Sequence, residues 1–216
     1  MMREMSPSLD DVLRPGRAAL LVVDIQHDFV HPRGWSARHG AGTAPLRRVI
    51  PVINRLIAAA RTARVSVAYL AVEHGAAVDA ANYRARYARR GMEGDVLCAV
   101  GTWGAALDEE LTPPEPEDLR VVRHSYDGFA GTALDRELRA RGVGTVVATG
   151  VVTNVCVQAT VQHAFALGYH VVVVEDGTAA ADPVVHSMTL RNIDDYFGWV
   201  APSEYIRAQW TPEEAR

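Results

Sequence analysis

Lysine is absent from the chain, so all 22 basic side chains among its 216 residues are arginine. Every fixed cation is therefore a planar guanidinium that stabilises anions but does not give up its proton near neutral pH. Cysteine is almost as scarce. Cys98 and Cys156 are too few for a disulfide framework, which points to at least one free thiol and a reducing, cytoplasmic setting. Positive charge is not in excess, since 22 arginines against 26 acids leave a net charge of −4. Such a balance offers no broad positive field for nucleic acid or an anionic membrane, and small molecules are the expected partners. Long apolar runs are missing too. Ala18 to Val23 and Tyr169 to Val174 fall far short of the ~20 residues that span a bilayer, and the acidic start lacks a signal-peptide pattern. No phosphate-binding glycine loop or dinucleotide fingerprint stands between a strand and a helix, and no repeat or linker interrupts the chain.

What is present reads as one α/β domain. Apolar residues make up 49% and charged residues 22%, the balance of a chain that buries one sizeable core. Residues 1–16 lack a period and read as an N-terminal arm, available to pack on a neighbouring subunit, and residues 17–216 read as a single domain. Ala18 to Val23 is a continuous apolar run, the mark of a parallel strand covered on both faces. Leu46, Val49, Ile50, Ile53, Leu56, Ile57 and Ala60 recur at helical spacing, and Val65 to Val72 is the second strand. Glu73 to Gly101, rich in Ala, Gly and Arg, has no strong period and reads as a lid or irregular excursion. Leu119 to Val122, Val143 to Thr149 and Tyr169 to Val174 continue the strands. Between them, Thr132 to Asp135 reads as a capping box opening a helix that Gly142 ends, and Val155 to Leu167 as another helix. Asp182-Pro183 is an N-cap and N1 pair for a last helix. This alternation predicts a parallel sheet with helices on both faces.

Ligands of such sheets bind beyond the carboxyl ends of the strands, where Asp24, Arg123 and Cys156 fall. Cys156 begins a helix, whose free N–H groups and positive dipole end favour a thiolate. Asp24 can take and return a proton, and Arg123 supplies a fixed positive charge. Each residue also has a plainer use: a buried small hydrophobe for the cysteine, a helix cap for the aspartate, an ion-pair or surface residue for the arginine. Spacing alone leaves both sets of roles open.

Four longer strings bear on the choice: Leu21 to Phe29 (LVVDIQHDF), Gly101 to Gly104 (GTWG), Ser125 to Asp135 (SYDGFAGTALD) and Thr149 to Val157 (TGVVTNVCV). In residues, order and spacing they resemble the isochorismatase-like cysteine hydrolases. The resemblance runs from about Arg17 to Ile206 and takes in Glu175-Asp176-Gly177 and Tyr196 to Val200. It implies a three-layer α/β/α fold around a six-stranded parallel sheet, assembled as a homodimer or homotetramer. It further implies a catalytic set of Asp24 as acid/base, Cys156 as nucleophile and, where amidohydrolases of the family carry lysine, Arg123. A cis peptide between Val151 and Val152 is implied as well, with the N–H groups of Val152 and Cys156 as oxyanion donors. The arginine is a departure that keeps the charge and alters the geometry.

Around these residues the resemblance suggests Phe29, Trp103, Tyr126 and Phe129 as walls of a small substrate pocket, loop packing being the plainer alternative. Gln26 and Asn154 are candidates to orient reacting groups or to satisfy backbone at turns. Nicotinamidases of the superfamily add a metal through an Asp-x-His and a further His. Glu73-His74 lacks that pattern, so neither a metal nor another cofactor is expected and His74 reads as exposed or hydrogen-bonded. Cys98 has no motif context and reads as structural. The arginines Arg84, Arg86, Arg89 and Arg90 read as a solvated helix face, with the greeting of an anionic substrate as the second option. The expected function is cleavage of a C–N bond in a small non-peptide amide, ureido, carbamoyl or carboxamide, through a cysteine acyl-enzyme. Vinyl-ether hydrolysis of the isochorismatase type and a non-catalytic binding or redox-sensing role are the alternatives.

Overall fold

The computed structural model of the protein describes residues 7–92 and 94–211. Six parallel strands form one sheet in the order β3-β2-β1-β4-β5-β6, with helices on both faces. The first helix, α1 (Leu9–Val12), is capped by the Ser8 and Asp11 side chains in a reciprocal box. After it, β1 (Ala18–Val23) is buried at every position, and its residues alternate between two cores. Leu20 and Val22 face one side, Ala19, Leu21 and Val23 the other, which is why the run carries no polar residue.

Three short helices follow, α2 (His27–Val30), α3 (Trp35–Arg38) and α4 (Ala44–Arg47), before the long α5 (Ile50–Thr62). The apolar period from Leu46 to Ala60 is thus shared between two helices, α5 starting with Pro51 in its first turn. After β2 (Ser66–Val72) the stretch expected to be irregular contains a nine-residue helix, α6 (Ala81–Arg89), of which only Tyr87 is buried. A helix that buries one side chain has no apolar stripe to read. Next come β3 (Leu119–Arg123), α7 (Leu134–Ala140) and β4 (Thr145–Val151). The expected capping box at Thr132 does not form. Thr132 Oγ1 instead accepts from Leu134 N–H and donates to Gly128 O, while Asp135 takes bonds from Tyr169 and Arg139.

Beyond β4 a π turn, Thr153–Val157, precedes α8 (Gln158–Ala166), so the helix expected from Val155 begins with a widened turn around Cys156. The chain ends in β5 (His170–Ala179), α9 (Pro183–Tyr196), β6 (Trp199–Ala201) and α10 (Ser203–Gln209). Asp182 caps α9 as the sequence indicates, accepting from the N–H groups of Val184 and Val185. Helices α5 and α10 cover one face of the sheet, α7, α8 and α9 the other.

The described part of the N-terminal segment folds onto its own chain. Leu13 is fully buried in the first core, and its carbonyl accepts from the indole N–H of buried Trp210. Residues 1–6 lie outside the described part. No helix among the described residues is long and apolar enough to cross a membrane.

The strand order reverses between β1 and β4, and at their carboxyl ends Gly150 faces Val23. Gly150 has φ of 108°, and a Cβ there would stand 2.0 Å from the Val23 carbonyl oxygen. Both features exclude a side chain. Gly150→Ala is expected to lose more than about 3 kcal/mol of stability, read as a lowered denaturant midpoint. A midpoint within error of the parent would refute the close approach.

Candidate active site

At this reversal point three side chains from three strand ends meet. Asp24 follows β1 with φ of 54°, a left-handed conformation that aspartate tolerates better than most residues, while its N–H is held by Leu70 O at 2.9 Å. Arg123 is the last residue of β3 and passes the end of β2 to reach it. Its Nη2 donates to Asp24 Oδ2 at 2.6 Å, and neither side chain has any exposed surface. Its Nη1 donates to the Ser125 carbonyl, which fixes the plane of the guanidinium. Cys156, buried in the π turn after β4, places its thiol near enough to the Asp24 carboxylate and the Arg123 guanidinium to interact with both.

Electrostatics set the resting protonation. Burial pushes the Cys156 thiol up strongly, the Asp24 charge adds to that, and Arg123 only partly opposes it. Removing a thiolate from water outweighs the favourable start of a helix, so burial favours the neutral thiol over the standing thiolate read from the sequence. The Asp24 carboxyl is raised by burial, with Arg123 and the thiol pulling it down. Its Oδ1 has no fixed protein partner beyond the thiol contact. A carboxyl with a raised proton affinity beside a thiol is an acid/base couple suited to taking that proton.

The residues expected around this set take varied places. Val151 and Val152 are joined by a cis peptide immediately before the π turn, at the position implied by the resemblance. Gln26 is fully buried and spends its amide on backbone, donating to Val72 O and Ala105 O and accepting from Val72 N–H. It thereby fastens the loop after β1 to the end of β2 and to the 102–106 turn. Asn154 is half-buried within the π turn. Phe29 packs in the first core, and Phe129 in the second against Tyr169 and the His163 ring. Trp103 is 46% exposed and stacks on His27. Tyr126 is half-buried and close enough to Cys156 for their charges to interact.

Two groups, Tyr83 and Asp28, escaped the sequence reading, and His74 takes the hydrogen-bonded option of its own. Tyr83 on α6 lies between the His74 ring, stacked at 5.3 Å, and the Tyr126 ring at 4.9 Å, near enough to feel Cys156. His74 is buried and hydrogen-bonded, its Nδ1 2.7 Å from Asp79 Oδ1, which braces the turn leading into α6. Asp28 accepts from Trp35 N–H and Cys98 N–H, and a Cβ on Gly104 would collide with its carboxylate at 2.2 Å. That collision explains the glycine of the Gly101 to Gly104 string. Cys98 is buried and its thiol is pushed well up by burial, as suits a structural residue. On α6 Arg86 lies over the Tyr87 and Tyr126 rings, at 5.5 and 5.9 Å.

Against known proteins, the isochorismatase-domain family model matches residues 18–204. A ureidoacrylate amidohydrolase, RutB, from Methylobacterium radiotolerans is 39% identical over 204 residues, covering 88% of this chain and 78% of that protein. Among solved structures, a cysteine hydrolase from Pseudomonas syringae pv. phaseolicola superposes with a TM-score of 0.80 at 29% identity, covering 94% of this chain and 95% of the other. The N-carbamoylsarcosine amidase of Thermoplasma acidophilum superposes with a TM-score of 0.71 at 28% identity, covering 87% and 97%.

Proposed function

The chain belongs to the isochorismatase family, and from that premise we propose that it hydrolyses a C–N bond of a small ureido or carbamoyl amide through an acyl-enzyme on Cys156. The observation that carries this reading is the Cys156 thiol in contact with a buried Asp24–Arg123 pair. Relatives named as amidohydrolases of ureidoacrylate and N-carbamoylsarcosine support the substrate class, and neither vinyl-ether hydrolysis nor a non-catalytic role gains support from them.

The chemistry follows from the geometry. Asp24 accepts the thiol proton as Sγ attacks the carbonyl carbon, and the oxygen gains charge. The N–H groups of Val152 and Cys156 are the assigned oxyanion donors, each worth about 3 kcal/mol where such donors are fixed. As the C–N bond breaks, Asp24 returns the proton to the leaving nitrogen, and ammonia or an amine departs. Water then attacks the thioester with Asp24 as base, and the thiol leaves with that proton. Arg123 keeps its own proton throughout. It holds the carboxylate in place and offsets the negative charge that passes between Asp24 and Sγ. The cysteine is 3% exposed, so the residues around it must shift to admit substrate. Arg86 beside Tyr126 favours a substrate carrying a carboxylate.

Two unbridged cysteines suit a reducing cytoplasm. Val184, Met188 and Tyr196 on α9 are 69%, 62% and 70% exposed, which supports assembly as a homodimer or homotetramer through that helix.

Ammonia release across a panel of ureido acids, N-carbamoyl amino acids and carboxamides tests the reading, with ureido acids expected to turn over fastest. The base must be ionised, so kcat/KM should fall as pH falls through the raised Asp24 pKa, on an acid limb above the 3.8 of an ordinary aspartate. No turnover anywhere in the panel, together with no acyl adduct on Cys156 by intact mass, would remove the proposal.

A further inference from the structure

Thr153 opens the π turn, directly after Val152 and three residues before Cys156, and has no exposed surface. A hydroxyl enclosed in this way needs a partner, because leaving it bare is more unfavourable than pairing it is favourable. Among the described residues its side-chain partner is His186, whose Nδ1 lies 2.9 Å from Thr153 Oγ1 and which stands 33 positions further along the chain. The first turn of α9 fixes that ring. Asp182 caps the helix through the N–H groups of Val184 and Val185, and the His186 N–H closes on Asp182 O at 3.0 Å. His186 is half-buried, and burial pushes its imidazole below the ordinary histidine range, partly opposed by the Glu175 charge. A neutral ring suits the contact in either tautomer, since a hydroxyl both donates and accepts.

The backbone of the turn is loosely closed. Val152 O accepts from Val155 N–H at 3.0 Å and from Val157 N–H at only 3.4 Å. A widened turn of this kind is less well held by its own bonds than an ordinary helical turn, so a side-chain anchor contributes to its shape. The same turn carries the Cys156 sulfur and lies between the N–H groups of Val152 and Cys156, the assigned oxyanion donors. A shift of the turn would misaim nucleophile and donors together, and the donors act only if they meet the oxygen where its charge develops.

We propose that His186 is a positioning residue for the hydrolysis: through Thr153 it holds the π turn so that Sγ and the two oxyanion donors converge on one carbonyl group. It acts through Thr153 and not on the reacting atoms. This role rests on the acyl-enzyme reading, which supplies the reaction that the turn serves.

The test measures kcat and KM for the parent, His186→Ala, His186→Asn, Thr153→Val and the His186→Ala/Thr153→Val double variant, on the ureido acid that the parent hydrolyses fastest. His186→Ala should lower kcat by about 10- to 100-fold and leave KM within about threefold, because misaimed donors weaken the transition state alone. Asparagine sets an amide near the place of Nδ1, so His186→Asn should recover most of the rate. Thr153→Val keeps the buried shape without the hydroxyl. It should reproduce the loss and add nothing to His186→Ala in the double variant. Alkylation of Cys156 by iodoacetamide, mapped by peptide mass, builds no oxyanion and should stay within about threefold of the parent in all four variants, which separates a misaimed turn from a misfolded one. The role is overturned by a kcat for His186→Ala within about threefold of the parent, by a loss carried in KM, by losses that multiply in the double variant, or by alkylation that falls in step with kcat. A parent that turns over no substrate removes the acyl-enzyme reading and this role with it. A parent that hydrolyses beside an unimpaired His186→Ala removes the role alone.

Discussion

Cys156→Ala is expected to lower the turnover of any ureido or carbamoyl substrate by about 10⁴-fold or more, the order seen when a hydrolase loses a covalent nucleophile. The fold should be untouched, because one sulfur atom is removed from a turn whose backbone bonds do not involve it. Removing the thiol also takes away an interaction that lowers the proton affinity of Asp24, so the carboxyl should rise further. Alanine therefore disables both the nucleophile and the state of its base. Cys156→Ser restores a hydrogen-bonding group at the same place but not a good nucleophile, and should recover little activity. Cys98→Ala is the matched control. Cys98 is the other buried thiol, its Sγ 3.7 Å from Gly104 O, and it has no role in proton transfer, so activity should persist. Turnover by Cys156→Ala within tenfold of the parent, measured as ammonia released, would eliminate the thiol mechanism.

The contrast between the two cysteines was readable in the sequence, because Cys156 stands after a strand and a glycine-containing turn whereas Cys98 stands in no such setting. Much of the sheet was readable for a related reason. A central parallel strand buried on both faces must be apolar throughout, as Ala18 to Val23 is. Elements lacking that constraint were not visible. Helix α6 is exposed along most of its length and shows no stripe, so Tyr83, which packs on Tyr126, was hidden in a run of alanine and arginine. β6 has only three residues. The Thr132 to Asp135 pattern matched a capping box, yet the Gly128 carbonyl four residues earlier claimed the threonine and Tyr169, from across the fold, the aspartate. The thiol's protonation state was missed because a local feature, the helix start, was weighed without the burial that only the folded chain reveals. Likewise, nothing local ties Arg123 to Asp24, residues 99 positions apart.

That pair carries the second large effect. Arg123→Met keeps the side chain's bulk but leaves the Asp24 carboxylate alone in a site with no exposed surface, and breaking a buried pair on one side costs about 3–5 kcal/mol. For a domain of this size the melting temperature should drop by roughly 6–20 °C. Asp24 escapes part of the cost by binding a proton. A protonated Asp24 no longer serves as base at neutral pH, so turnover should be lost along with stability. Arg123→Lys separates the two effects. It retains a charge for Asp24 and should melt near the parent, but it gives up the planar fork and the bond to Ser125 O, so the rate and the ranking of substrates should change. Asp24→Asn combined with Arg123→Met leaves neither charge stranded. This double variant should regain at least half of the lost melting temperature while remaining inactive, since the base is gone. Melting curves and ammonia assays on the three variants decide the matter. If Arg123→Met melts within about 2 °C of the parent and still turns over substrate, the buried pair neither stabilises the fold nor serves the chemistry, and Cys156 would have to find its activation elsewhere.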